Sequence, residues 1–157
     1  MSVKMTMEEL LPFIEEAFKN NQSFKIPITG TSMLPLLVQG RDFVIIEKNK
    51  NPLKTGDLPL YKRADGTFVL HRVVGVNEDG SFVMCGDNQF LKEYGITEAN
   101  IIGVVTEIIR DGKSFSVEDE RYKKYVKRSL ILLNVRYPYK RLRYFLHRVK
   151  VRVLSKQ

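Results

Sequence analysis

The chain has 157 residues, of which 43% are hydrophobic, and it carries a net charge of +8 at neutral pH. This length and composition are typical of one globular domain with extensions. Two histidines and one cysteine are too few for a disulfide scaffold or a Cys/His zinc site, so we expect neither a metal nor a cofactor.

Residues 1–23 are predicted to form an N-terminal helix. The segment 6–9 has the form of a capping box, in which a threonine and a glutamate satisfy the first backbone donors of a helix. Apolar residues then recur at helical spacing: Leu10, Ile14, Ala17 and Phe18. Pro12 would remove a backbone donor inside this helix, so the helix either bends at Pro12 or begins there.

Residues 24–117 are predicted to form a β-rich domain. Short β-rich runs alternate with turn residues: Phe43–Ile46, Leu58–Tyr61, Phe68–Val76, Ser81–Cys85, Ile101–Ile109 and Ser114–Val117. Such a pattern favours a mainly β fold with a coiled, barrel-like sheet.

Residues 118–157 are predicted to form a basic helical tail. This tail holds 13 Lys/Arg and 3 Asp/Glu, whereas residues 1–117 carry a small negative net charge. A first helix would place Tyr122, Val126, Leu130 and Leu133 on one face. Residues 138–154 have the amphipathic, basic pattern of a helix that lies on an anionic membrane surface, and no nucleic-acid partner is expected. The uncharged run 26–40 is too short and too interrupted to span a bilayer, so we expect a cytoplasmic protein attached peripherally to the inner face of the membrane.

The stretch GTSMLPLL, residues 30–37, places a hydroxyl on a segment that Gly and Pro shape into a turn. Ser32 is either loop filler or a nucleophile, and a nucleophile requires a base. Only His71 and His147 are histidines, and His147 lies in the basic tail. His71, within the predicted strand FVLHRVVGV, is therefore the candidate base, although a lone strand histidine is more often structural.

The next hairpin supplies a candidate partner for His71. A three-residue loop over 78–80 would pair Asn77 with Ser81, and this register places His71 opposite Asp87. A carboxylate beside a histidine fixes its tautomer and stabilises the imidazolium. A slip of one residue would put Gly86 opposite His71 and send Asp87 to the other face.

The segments GTSMLP, HRVVGV and CGDNQ resemble three boxes of the type I signal peptidase family, in the same order and with similar gaps. The resemblance implies a coiled β fold and serine endopeptidase activity on membrane-targeted precursors. It also implies that Ser32 is the nucleophile and His71 the base, as in the endoplasmic-reticulum and archaeal Ser–His type. The family's acidic residue falls on Asp87, and a second acidic position six residues on falls on Glu93.

The family pattern also bears on the oxyanion hole. Many members have a hydroxyl residue two places before the nucleophile, where this chain has Gly30. The hole would then use the Ser32 backbone N–H and a further donor such as Thr31. The chain also departs from the family in having no recognisable transmembrane anchor.

The sequence therefore predicts a signal-peptidase-like Ser–His endopeptidase that cleaves a peptide or protein precursor after small residues. One alternative is a LexA-like self-cleaving regulator, which typically cuts an Ala-Gly or Cys-Gly bond. No Ala-Gly occurs here, and the one Cys-Gly, at Cys85, lies in the predicted site itself. A second alternative is a non-catalytic module that binds membrane or nucleic acid through its basic tail. The oligomeric state stays open.

Overall fold

The computed structural model describes residues 5–133, and it begins with a helix that covers one side of a β-sheet. Helix α1 runs from Met7 to Lys19. The predicted capping box is confirmed, because Glu9 N–H donates to the Thr6 side chain while the Glu9 carboxylate accepts from Thr6 N–H. Pro12 lies inside the helix, so α1 begins well before it.

Between residues 24 and 116 the chain forms nine strands and one short 3-10 helix, Glu98–Asn100. The strands are β1 (Phe24–Pro27), β2 (Asp42–Glu47), β3 (Pro59–Lys62), β4 (Phe68–Leu70), β5 (Arg72–Val76), β6 (Phe82–Cys85), β7 (Glu93–Ile96), β8 (Ile101–Arg110) and β9 (Lys113–Ser116). The predicted mainly β fold class is therefore confirmed. Two of these strands, β1 and β7, were not among the predicted runs.

The strands form two antiparallel sheets. The larger has the order β1-β2-β8-β3-β4, with β9 added to β8, and the smaller has the order β5-β6-β7. Strand β8 shifts register against both β2 and β3, and such bulges bend a sheet. Only His71 separates β4 from β5, so this residue lies where the chain leaves one sheet for the other.

Two apolar clusters hold these layers together. The larger one packs α1 and the segment 33–37 against the large sheet, with Ile14, Leu37, Val44, Ile46 and Ile108 fully buried. The smaller one lies under β5 and β6: Leu53, Tyr61, Val73, Phe82, Met84 and Ile96. Burying a large apolar side chain stabilises the fold by about 1.5–3 kcal/mol, so these clusters provide the main driving force for folding.

A second helix, α2, covers the described residues 120–133. The predicted apolar face is confirmed, because Tyr122 and Leu133 are buried while Val126 and Leu130 are half-buried. No helix within residues 5–133 is long and apolar enough to cross a membrane. The expected membrane-binding helix at 138–154 lies outside the described residues and stays a prediction.

Gly103 tests how closely α1 packs on the large sheet. A β-carbon on Gly103 would lie 2.8 Å from the Glu47 carbonyl oxygen and 2.8 Å from Phe18 Cζ. We expect Gly103→Ala to lower the free energy of unfolding by about 1–3 kcal/mol in urea denaturation, because the backbone must shift.

Gly75→Ala is the matched control. Its added β-carbon would lie at an ordinary 3.6 Å from Val83. Equal losses of stability in the two variants would contradict the close packing described for Gly103.

Candidate active site

Ser32 lies on a turn that its apolar neighbours anchor in the large core. Met33, Leu36 and Leu37 are buried, whereas the Ser32 side chain is half-buried at the surface of a cleft. Gly30 precedes it with a φ of 76°, a left-handed conformation that glycine adopts without strain, and its N–H donates to Gln39 Oε1 at 2.7 Å. The alternation of buried and exposed residues therefore fixes the turn and leaves the hydroxyl at its outer side.

A second turn, residues 86–88, supports the backbone of Ser32. Asn88 N–H donates to the Ser32 carbonyl oxygen at 2.8 Å, and Asn88 Nδ2 donates to the Thr31 carbonyl oxygen at 3.2 Å. A β-carbon on Gly86 would lie 2.7 Å from the Ser32 oxygen, closer than real contacts allow. Glycine at this position thus permits the two turns to pack directly on each other.

The backbone donors around Ser32 point to one possible chemistry. Within residues 5–133, the N–H groups of Thr31, Ser32 and Met33 donate to no protein acceptor. Amides left open beside a hydroxyl can stabilise a developing oxyanion. The predicted roles of the Ser32 and Thr31 amides are compatible with this arrangement and stay predictions.

His71 is buried, with 2% of its surface exposed, and a carboxylate holds one of its ring nitrogens. Its Nδ1 lies 3.0 Å from Glu93 Oε1 and 3.3 Å from the Tyr61 hydroxyl. An Nδ1–H that donates to Glu93 leaves Nε2 as the nitrogen that can accept a proton. Glu93 is thus the carboxylate in contact with His71.

Tyr61 and Arg63 hold Glu93 in turn. The Tyr61 hydroxyl donates to Glu93 Oε2 at 3.0 Å, and Arg63 Nε donates to the same oxygen at 2.8 Å. Neither Tyr61 nor Arg63 was among the predicted site residues. Their spacing of two could have indicated a shared face at the end of one strand.

Burial and charge together set the ionisation of this group. Burial disfavours the imidazolium and holds the pKa of His71 below its ordinary value, although the negative charge of Glu93 opposes the shift. Partial burial would raise the pKa of Glu93, but the hydrogen bonds from Arg63 and Tyr61 outweigh it and lower that pKa. At neutral pH the pair is therefore a neutral imidazole beside a carboxylate.

The prediction that Asp87 faces His71 is wrong. The hairpin loop forms as predicted, with Asn77 N–H donating to the Ser81 oxygen, but the register shifts between Val73 and Gly75. Beyond this bulge Arg72 pairs with Cys85, one residue away from the predicted register. The slip moves Asp87 to the face opposite His71.

Asp87 instead forms a buried ion pair with Arg72. Arg72 donates from Nε and Nη2 to the two carboxylate oxygens at 2.8 and 2.7 Å, and both side chains are almost fully buried. The Tyr125 hydroxyl and Ser129 Oγ of α2 donate to the same carboxylate at 3.0 and 3.2 Å. Asp87 therefore ties β5, the 86–88 turn and α2 together rather than acting on the histidine.

Ser32 and His71 line one cleft of about 250 Å³. Arg63 and Gln89 add polar groups to its wall, and an apolar floor comes from several strands and turns: Ile26, Ile28, Met33, Leu60, Phe68 and Leu70. A concave site in which a few polar groups converge beside apolar side chains is typical of a substrate-binding site. Ser32 and His71 thus line the same cleft, although within residues 5–133 no hydrogen bond joins their side chains, and Glu93 reaches the site through its contact with His71.

The other candidate groups lie elsewhere. Cys85 is 1% exposed, and its Sγ lies 3.5 Å from the carbonyl oxygens of Gly86 and Leu91, which suits a buried structural residue. His147 lies outside the described residues. Among residues 5–133, no three His, Cys, Asp or Glu side chains are grouped so that they could hold a metal ion.

Comparison with known proteins agrees with a peptidase-like domain. The family model described as Peptidase S24-like matches residues 2–106. This range includes the Ser32 turn, His71 and Glu93, and it ends before α2. No curated protein and no solved structure matches the chain.

The different partners of Glu93 and Asp87 lead to opposite expectations for two isosteric variants. Glu93→Gln removes the charge beside His71, so the pKa of His71 should fall further below its ordinary value. Asp87→Asn should change that pKa much less. It should instead cost about 3–5 kcal/mol of unfolding free energy, because Arg72 stays buried without its counter-charge.

NMR titration of the imidazole Cε1–H and urea denaturation measure the two effects. The His71 signal is assigned by its loss in His71→Gln. A larger pKa change in Asp87→Asn than in Glu93→Gln would contradict the assignment of Glu93 as the partner.

Proposed function

Because the chain belongs to the Peptidase S24-like family, we propose that it is a serine endopeptidase that uses a Ser32–His71 dyad oriented by Glu93. The observation that carries this proposal is the shared cleft, which is lined both by a half-buried serine and by a buried neutral histidine whose Nδ1 lies against a carboxylate. Family membership alone does not establish activity, so the chemistry has to come from these residues.

In this mechanism Ser32 Oγ attacks the carbonyl carbon of the scissile peptide bond as His71 Nε2 takes the hydroxyl proton. His71 then gives that proton to the leaving amine, and the C–N bond breaks. A water molecule hydrolyses the resulting ester with the same histidine as base. A positioned base contributes about 10²–10⁴-fold, and Glu93 stays ionised while it stabilises the imidazolium.

The open amides of the nucleophile turn would bind the oxyanion that forms during attack. The Ser32 N–H is the principal donor, with the Thr31 N–H beside it, and neither donates to a protein acceptor within residues 5–133. Gly30 cannot supply the hydroxyl that many signal peptidases have at the corresponding place. The hole therefore uses backbone donors.

The substrate of this site is an extended segment of a peptide or protein precursor. Strands β1 and β4 are the two ends of the larger sheet, and both contribute residues to the cleft. An extended peptide can add to such an edge through backbone hydrogen bonds, while pockets select side chains. The resemblance of the three sequence boxes to Ser–His signal peptidases supports small side chains just before the cut.

Cleavage of another peptide is favoured over self-cleavage at Cys85-Gly86. Cys85 is held in β6 and is 1% exposed, and Gly86 packs against the Ser32 carbonyl. Presenting this bond to Ser32 would require β6 to leave its sheet. The Cys85-Gly86 segment therefore supports the turn that carries Ser32 rather than being its substrate.

Ser32→Ala should abolish cleavage and leave the fold intact, because a half-buried turn serine contributes little to stability. The measurement is incubation with a peptide library, with the cuts mapped by mass spectrometry. Ser23→Ala, at an exposed serine outside the cleft, is the matched control and should cut as the wild type does. Wild-type cutting by Ser32→Ala would refute the peptidase assignment.

The rate should rise with pH through the titration of His71 and level off above it, because only the neutral imidazole accepts the serine proton. Burial lowers this pKa, so half of the maximal kcat/KM should be reached below pH 6.5. A pH profile of kcat/KM on a mapped peptide measures this. A rate that keeps climbing from about pH 7 to about pH 10 would indicate a lysine base instead.

A further inference from the structure

One side of α2 carries three cations beside the nucleophile turn. Arg121, Lys124 and Arg128 follow each other at intervals of three and four residues, so they share one face of the helix. All three are exposed, and within residues 5–133 none of them forms an ion pair. Lys123, on the other side of the helix, differs because it pairs with Glu118.

These cations line a groove rather than a convex surface. With Tyr125, Ser129 and Leu132 of the same helix they line an open groove of about 530 Å³, and within residues 5–133 the side facing the helix is formed by Pro35. Pro35 belongs to the nucleophile turn and lies three residues beyond Ser32. The volume is within the range of sites that bind small ligands or short peptide segments.

We propose that this groove binds an acidic segment of the peptide substrate, a few residues away from the bond that Ser32 attacks. The inference rests on the proposed peptidase function and adds a substrate class to it. Carboxylates of the segment would pair with Lys124 and Arg128, and its apolar groups would pack on Pro35 and Leu132. Pro35 lies three residues beyond Ser32, and three residues span at most about 11 Å, so the groove wall is within reach of a substrate segment of a few residues.

The shape and the charge of the groove favour a peptide over the other anionic or internal occupants. A lipid bilayer presents a broad surface that cannot follow a concavity between a helix and a turn. The chain's own residues 134–157 contain eight Lys/Arg and no Asp/Glu, so they offer no acidic side chain that could pair with the cations of the groove. A narrow acidic chain satisfies both constraints.

The groove is also fixed relative to the nucleophile. Tyr125 and Ser129, which lie on the groove face of α2, donate to Asp87. The turn that contains Asp87 in turn holds the Ser32 carbonyl through Asn88. A segment bound on α2 is therefore held at a constant distance from Ser32, which is what a specificity subsite requires.

Binding to the inactive Ser32→Ala protein tests the groove separately from catalysis. The probes are two fluorescein-labelled peptides of equal length, one of glutamates and one of glutamines, each joined to an alanine-rich segment. Fluorescence anisotropy should show tighter binding of the glutamate probe, and added salt should weaken it. Lys124→Gln with Arg128→Gln should weaken that binding roughly three- to tenfold.

Lys127→Gln is the matched control. Lys127 lies on the same helix but lines the opposite groove, between α2 and the β-sheet, so its loss should leave the preference for glutamate unchanged. Anionic vesicles, compared with zwitterionic ones in a sedimentation assay, provide the lipid arm. Vesicle binding that depends on Lys124 and Arg128, without any glutamate preference, would overturn the proposal in favour of a lipid surface.

The remaining outcomes separate this inference from the proposed activity. If the probes bind equally, the groove assignment is wrong even if the wild type cuts peptides. If glutamate is preferred but the wild type cuts no peptide, the groove assignment stands and the peptidase assignment fails. With an active wild type, the same double variant should raise KM for acidic peptides and leave kcat nearly unchanged.

Discussion

The buried ion pair between Arg72 and Asp87 is the interaction on which the site's architecture depends. Removing two charges from water is costly, and the cost is offset only where geometry is good and the remaining lone pairs are satisfied. Here two parallel hydrogen bonds join the pair, and the hydroxyls of Tyr125 and Ser129 donate further hydrogen bonds to the Asp87 carboxylate. Since one carboxylate gathers groups from β5, the 86–88 turn and α2, these elements cannot move independently.

His71 and Arg72 divide two tasks between adjacent positions of the chain. Successive residues of an extended segment point to opposite faces, so one side chain enters the cleft while the next enters the scaffold. The histidine meets the carboxylate of Glu93, and the arginine meets that of Asp87. This separation places the guanidinium of Arg72, a permanent positive charge, on the opposite side of the strand from the imidazole, which would accept a proton in the proposed mechanism.

Much of the fold followed from local patterns, whereas the partner of the histidine did not. The capping box at Thr6, the hairpin loop that ends at Gly80 and most strands depend on short-range chemistry that the sequence displays directly. Gly75 inside the predicted strand is compatible with a bulge but does not fix the register, and one shifted residue was enough to exchange the faces of the strand. Strand β7 has only four residues, and one of them, Gly95, has a positive φ. It therefore lacks a clear strand pattern in the sequence, and the position of Glu93 was missed with it.

The surroundings of Glu93 also limit which amino acids could serve as the base in the proposed mechanism. Its carboxylate favours a positive charge at residue 71, although Arg63, which donates to both oxygens of this carboxylate, opposes that effect. For an imidazole this attraction is useful, because the cation exists only transiently during the reaction. A primary amine starts from an intrinsic pKa of about 10.4, so burial in the same place would have to lower its pKa by several units, against the charge of Glu93, before it could accept a proton at neutral pH. Conversion between histidine and lysine chemistry on this scaffold is therefore not a one-residue change, since the acidic neighbour would have to be lost together with the ring.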